Sequence, residues 1–165
     1  MTVFNEVVEI ININLVCVGK IKEKYIEEGM AEYIKRMKTY AVFKIIELKE
    51  EGNDKDREKA MEIEGAEIKK VLEKNKGLNI LLDIKGKQYT TEEFVNVIEN
   101  KSVHGVSTMN FIIGGSYGVT EEIRGLSEIK LSFSKFTFPH QLMRLIFLEQ
   151  LYRWFSVINN SKYHK

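Results

Sequence analysis

Short apolar runs bounded by polar or glycine-containing stretches alternate along the chain with segments whose apolar residues recur every three or four positions. Residues 10–18 form the first run, rich in β-branched side chains and stopped by Gly19, and read as a strand. Residues 22–38 put Tyr25, Ile26, Met30, Tyr33, Ile34 and Met37 on one stripe, the spacing of an amphipathic helix. Residues 42–48 predict a second strand and residues 50–54 a polar loop with Gly52 and Asn53. Residues 56–74 predict a charged helix with Ala60, Ile63, Ala66 and Val71 turned inward. A third strand over 78–84, closed by Gly86, precedes a helix through Phe94, Val95 and Ile98, with Thr90 or Thr91 as its cap. Residues 109–113 make a fourth strand, Thr120 caps a short helix, and residues 129–133 make a fifth strand. Pro139 then opens a last helix to about Phe155, at a position where its missing N–H costs nothing. Continuously apolar strands separated by helices imply the α/β class: a mostly parallel sheet of five to six strands with helices on both faces. Ordinary connection rules make it an open sheet that binds ligands at the carboxyl ends of its strands.

Composition narrows the picture without deciding it. A chain of 165 residues that is 44% hydrophobic buries enough surface for a single domain. The single cysteine, Cys17, lies among Leu15, Val16 and Val18, as a buried apolar thiol would, and fits a reducing compartment. No apolar run approaches the roughly 20 residues that span a bilayer. The first ten residues carry Glu6 and Glu9 but no lysine or arginine, unlike a signal peptide. Net charge is only +1, yet its distribution is uneven. Residues 47–76 hold ten acidic and eight basic side chains, whereas residues 134–165 hold five basic ones (Lys135, Arg144, Arg153, Lys162, Lys165) against Glu149 alone. That excess suits either an RNA-facing surface or a solvated helix end.

Three segments of the last third are candidates for chemistry. The first is IIGGSYG at 112–118, a strand running into a glycine loop, which serves either a chain reversal or close backbone approach to a ligand. It is not G-x-G-x-x-G, and the chain has no G-x-x-x-x-G-K-[ST], so dinucleotide and nucleoside triphosphate readings lose their main support. Next comes LSFSKFTFPHQLMR at 131–144, whose alternating hydroxyl and aromatic residues suit an edge strand or a loop with free N–H and C=O groups ahead of Pro139. His140 and Arg144, four apart, share one face of the last helix. The third is the tail YHK at 163–165, read either as a frayed end or as part of a site. His104, His140, His164 and Cys17 form no spaced cluster, and no metal site is expected.

Taken with VCVGKIKEKY near the start, LLDIKGK in the middle and EQLYR in the last helix, these segments resemble the SPOUT-class methyltransferases. The resemblance is nearest to the family that methylates N3 of a pseudouridine in large-subunit ribosomal RNA. It runs from about Ile11 to Lys165, so residues 1–10 stand as an extension and residues 11–165 as one SPOUT domain. It implies a C-terminal trefoil knot, S-adenosylmethionine as cofactor, and a homodimer that acts in the cytoplasm on 23S ribosomal RNA in the ribosome or its large subunit. Leu82, Gly114 and the loop Phe133, Ser134, Lys135, Phe136, Thr137 and Phe138 would hold the cofactor. His140 would wall the pocket, and Arg144 would meet RNA phosphate or an interface. The catalytic set would be Tyr163, His164 and Arg153. The first two position the base, with His164 as a candidate proton acceptor, while Arg153 steadies phosphate or the developing charge. The tail would fold over the methyl donor of the partner subunit, although Asn159, Asn160, Ser161 and Lys162 stand where the family often has proline or glycine. Two alternatives remain on sequence: a SPOUT enzyme for another ribosomal or transfer RNA base, and a non-catalytic RNA-binding protein on the same fold. The last helix also carries Leu142, Ile146, Leu151, Trp154 and Phe155, more apolar surface than one face is expected to bury, which favours a dimer.

Overall fold

A computed structural model describes residues 10–52 and 55–163, the last three of them as backbone only. Five strands, β1 (Asn12–Val18), β2 (Val42–Leu48), β3 (Leu78–Gln88), β4 (Thr108–Ile113) and β5 (Ile129–Ser132), pair in the order β2-β1-β4-β3-β5, and every pairing is parallel. The helices between them are α1 (Lys24–Met37), α2 (Arg57–Lys74), α3 (Thr91–Val103) and α4 (Glu121–Gly125), and α5 (His140–Tyr163) follows β5.

Alternation along each strand divides the interior in two. Ile13, Leu15 and Cys17 of β1, with Met109, Phe111 and Ile113 of β4, join the larger core with Ile26 and Met30 of α1, Phe94 and Ile98 of α3, and Phe147, Leu151 and Trp154 of α5. Val16 and Val18 of β1 and Ile112 of β4 join the smaller core with Ile68 and Leu72 of α2 and Ile123 of α4. The result is three layers, with α1, α3 and α5 on one face of the sheet and α2 and α4 on the other. Asn14 and Asn110 are also buried, which is tolerable because they bond each other at 2.9 Å and Asn110 donates to the carbonyl of Asn75 and to Oδ1 of Asn79.

Side-chain caps fix where several helices start. Thr90 is the cap of α3: its Oγ1 accepts from the Glu93 N–H at 3.1 Å, and Glu93 Oε2 accepts from the Thr90 N–H at 2.8 Å, a reciprocal capping box. Asp56 caps α2 and Thr120 caps α4. Among the described residues no helix is long and apolar enough to cross a membrane.

The structure departs from expectation in four places. First, α2 buries Ala60, Glu64, Gly65, Ile68 and Leu72, whereas Ile63 and Ala66 are exposed and Val71 is half-buried. Gly65 sets this rotation, because a Cβ there would already lie 3.2 Å from Thr120 Oγ1, so the helix face carrying it approaches α4 closely. Second, β3 runs beyond Ile84 to Gln88 with a register shift, since Leu131 pairs both with Leu82 and with Lys87. Third, α5 continues through the polar stretch 159–162, beyond the end expected near Phe155. Ile158 extends its buried stripe, and Asn159 donates from Nδ2 to the Phe155 carbonyl. Finally, Leu151, Trp154 and Phe155 are buried within the chain's own core, so they do not supply the surplus surface invoked for a dimer. Leu142 and Ile146 are half-buried.

Candidate active site

The carboxyl ends of β3, β4 and β5 open into a cavity of about 500 Å³, within the range of small-molecule sites. Leu81 and Leu82 close its base from β3, together with Leu131 from β5. The glycine loop 114–118 forms one wall, residues 133–139 another, and His140 and Met143 of α5 complete the rim.

The glycine loop is a tight reversal. Gly118 donates to the Gly115 carbonyl at 3.0 Å and has φ of 88°, a left-handed conformation that favours glycine. Gly114 is required for a different reason. A Cβ there would stand 2.7 Å from Val119 Cγ1 and 3.2 Å from the Gly118 backbone, so the loop folds back on Gly114 itself. Ser116 ties the loop to the segment that follows β2 by donating to Glu50 Oε1 at 2.7 Å, and Arg57 lies 5.1 Å over the Tyr117 ring.

The opposite wall hangs on the core. Phe133 packs edge-on against Trp154 at 6.0 Å between centroids, and Trp154 also meets Phe94, Phe111 and Phe147. Beyond Phe133 the chain leaves the ladder and turns. Ser132 Oγ donates to the Ser134 carbonyl, and Ser134 Oγ accepts from the Phe136 N–H. The N–H groups of Lys135, Thr137 and Phe138 meet no acceptor among the described residues. Such a strip of free main-chain donors beside aromatic and aliphatic side chains fits the flat, hydrogen-bonding edge of a purine.

Of the residues singled out in the sequence, Leu82, Gly114, Phe133, Ser134, Phe136, Thr137, Phe138 and His140 all border this one cavity. Lys135 belongs to the same loop without lining it. Arg144, expected at an RNA phosphate or an interface, is 1% exposed and engaged within the chain. Its Nη2 donates to the carbonyls of Val18 at 2.8 Å and Gly19 at 2.7 Å, and Nη1 pairs with Glu47 at 3.0 Å. Arg153 lies apart from the cavity lining, half-exposed and paired with Glu149 one helical turn away. Tyr163 falls within α5 as backbone only, and His164 lies outside the described residues. Cys17 is buried, and burial pushes its thiol up to about 11, as suits an inert core residue. No group of three or more metal-ligating side chains occurs among the described residues.

Sequence reasoning overlooked three charged residues at or beside the site. Asp83 and Arg124 pair inside the cavity wall. The only hint was an aspartate interrupting the apolar run LLDI; Arg124, in TEEIRG, reads as part of a solvated face. Glu64 is 3% exposed behind the glycine loop. Its Oε1 accepts from the Glu51 N–H at 3.0 Å, while its Oε2 has no partner and packs against Gly115. Burial holds this carboxyl above the usual range, helped by the neighbouring Glu50 and Glu51 and opposed by the Glu51 N–H bond.

A sequence profile described as "Predicted SPOUT methyltransferase" matches residues 11–164. The chain belongs to the SPOUT methyltransferase family. Within that family it is 51% identical over 154 residues to the "Ribosomal RNA large subunit methyltransferase H" of Fusobacterium nucleatum, covering 93% of this chain and 99% of that protein. The protein of the same name from Carboxydothermus hydrogenoformans is 44% identical over 158 residues, at the same coverage of both chains. Among solved structures, "a probable methylase family protein from Haemophilus influenzae Rd KW20" superposes with a TM-score of 0.53 at 16% identity, covering 94% of this chain and 70% of that one, a likeness of fold alone. For this SPOUT protein the cavity at the ends of β3, β4 and β5 is therefore the candidate active site.

Proposed function

We propose that this chain transfers the methyl group of S-adenosylmethionine to N3 of a pseudouridine in 23S ribosomal RNA. The observation that carries the reading is end-to-end similarity to proteins named as large-subunit ribosomal RNA methyltransferases, at up to 51% identity. The cavity supports it independently, since a volume of about 500 Å³, an apolar base and free main-chain donors suit an adenosine.

When bound, the cofactor supplies a methyl group on a sulfonium leaving group. The chain's own task is then alignment. Residues 133–138 would hold the adenine by main-chain bonds, Leu81 and Leu82 would pack against it, and the glycine loop would bring backbone close to the ligand. By holding donor and target base together these residues would supply the proximity contribution. Tyr163 and His164 position the base, with His164 a candidate to take the N3 proton, and Arg153 faces RNA or the partner subunit.

The same reading includes a trefoil knot, a cytoplasmic location and a homodimer. Support for the knot is membership of the SPOUT family. Support for the dimer is the exposed apolar rim of the cavity: Phe136 is 80% exposed, Ile84 47% and Phe138 37%. Light scattering should give about twice the 19.2 kDa chain mass, and an active monomer would exclude the dimer. Methyl incorporation from labelled S-adenosylmethionine into ribosomes lacking the modification, followed by nucleotide mapping, tests the activity. Label at one pseudouridine of 23S RNA is the expected result; label in another base, in transfer RNA or nowhere overturns it.

A further inference from the structure

Residues 83–86 are extruded from the sheet at the edge of the cavity, because Leu131 pairs with Leu82 and then with Lys87. Gly86 permits this: a Cβ there would stand 2.5 Å from the Lys130 carbonyl oxygen. The first extruded residue is Asp83, which lines the cavity with a side chain only 9% exposed. Two bonds fix its direction. Oδ1 accepts from the Lys85 N–H at 3.0 Å, and Oδ2 accepts from Nη1 of Arg124 in α4. Among the described residues lining the cavity, Asp83 is the one carboxylate and Arg124 the one guanidinium.

An aspartate carboxylate offers about four acceptor sites, so these two bonds leave others unused. No second carboxylate among the described lining residues competes with it as an anionic acceptor. A ribose presents two adjacent O–H donors, for which an acceptor-only carboxylate is the matching side chain. An acidic residue beyond a strand in dinucleotide-binding folds holds ribose by the same chemistry.

We propose that Asp83 accepts the ribose hydroxyls of the nucleoside bound in this cavity, with Arg124 as the positioning residue that orients its carboxylate. The assignment rests on the reading of the cavity as the S-adenosylmethionine site. A purely structural pair, fastening α4 to the extruded segment, would be indifferent to whether the ligand carries hydroxyls.

Calorimetric titration of the full chain separates the two. The ligands are S-adenosylmethionine, 5′-methylthioadenosine, which lacks the amino-acid end, and the 2′-deoxy and 3′-deoxy forms of 5′-methylthioadenosine. Loss of a hydroxyl should weaken binding to the unaltered protein by roughly tenfold or more, the worth of a hydrogen bond to a charged group. Asp83→Asn should weaken 5′-methylthioadenosine comparably and shrink the deoxy penalty to about twofold or less, and Arg124→Met should reduce that penalty in part. Equal affinity of the unaltered protein for hydroxylated and deoxy ligands overturns the assignment and needs no variant to fold. So does an Asp83→Asn protein that keeps the full penalty. Failure of the unaltered protein to bind either adenosine ligand overturns the cofactor reading as well, which distinguishes that failure from the narrower one.

Discussion

Replacing Arg144 by methionine removes a guanidinium that is 1% exposed and bonded to Val18, Gly19 and Glu47. Three hydrogen bonds from a charged donor, at about 1.5–3 kcal/mol each, put the gross loss at roughly 4.5–9 kcal/mol. Freedom from burying the charge returns several kcal/mol of that, and methionine fills much of the volume. Two carbonyls remain buried without their donor. The net cost is therefore about 3–5 kcal/mol, the usual result of removing one partner of a buried pair. Against a domain stability of about 5–15 kcal/mol this is a severe change. Glu47 is different, with its side chain 42% exposed, so Glu47→Gln should cost less than about 1 kcal/mol. Urea titrations of the three proteins at one fixed concentration measure both differences. An Arg144→Met protein within 1 kcal/mol of the parent, combined with a loss of RNA affinity, would refute the structural role and return Arg144 to the RNA-facing role suggested by its sequence context.

Glu64 makes the pH dependence of stability testable. Its folded pKa lies above its unfolded value, so the folded state holds the proton more tightly and stability falls as pH rises from about 4.5 through the folded value. Glu64→Gln should flatten that fall, matching the parent in acid and gaining on it towards neutral pH; identical pH–stability curves would rule this out. Gly114→Ala should cost about 1–3 kcal/mol by driving a methyl into Val119, and should weaken cofactor binding through the distorted loop, as paired unfolding and binding titrations will reveal. His164→Ala should leave S-adenosylmethionine affinity nearly unchanged while slowing single-turnover methylation of purified ribosomal particles, and an unchanged rate would remove the tail from the mechanism.

Strand positions were legible because a doubly covered sheet demands continuous apolar runs, and β2 falls where the run at 42–48 puts it. Sidedness was less legible. In α2 the apolar Ile63 and Ala66 look inward by composition, yet close approach through Gly65 turns Glu64 into the interior instead. The cavity was legible where backbone chemistry makes it, at the glycines and at the hydroxyl–aromatic loop. It was illegible where a pair of ordinary charges, Asp83 and Arg124, meets across 41 residues, since nothing local marks either as inward-facing. Arg144 reads in sequence as a contact to an RNA phosphate or an interface, whereas the partners it has within the chain, Val18, Gly19 and Glu47, lie 97 to 126 residues earlier and leave no local mark.

That last separation has a consequence for the birth of the molecule. The carbonyl of Val18 ends a strand completed early in synthesis, yet its donor, Arg144, is 126 residues downstream. At about 5–20 residues per second the ribosome needs roughly 6–25 s to cover that distance. Throughout this interval the outlet of β1 has no arginine to close it, and the helix that carries Trp154 and braces Phe133 does not yet exist. The nascent chain can lay down its central strands before residues 133–143 exist, so the cavity they wall takes shape only after the start of α5 has been made.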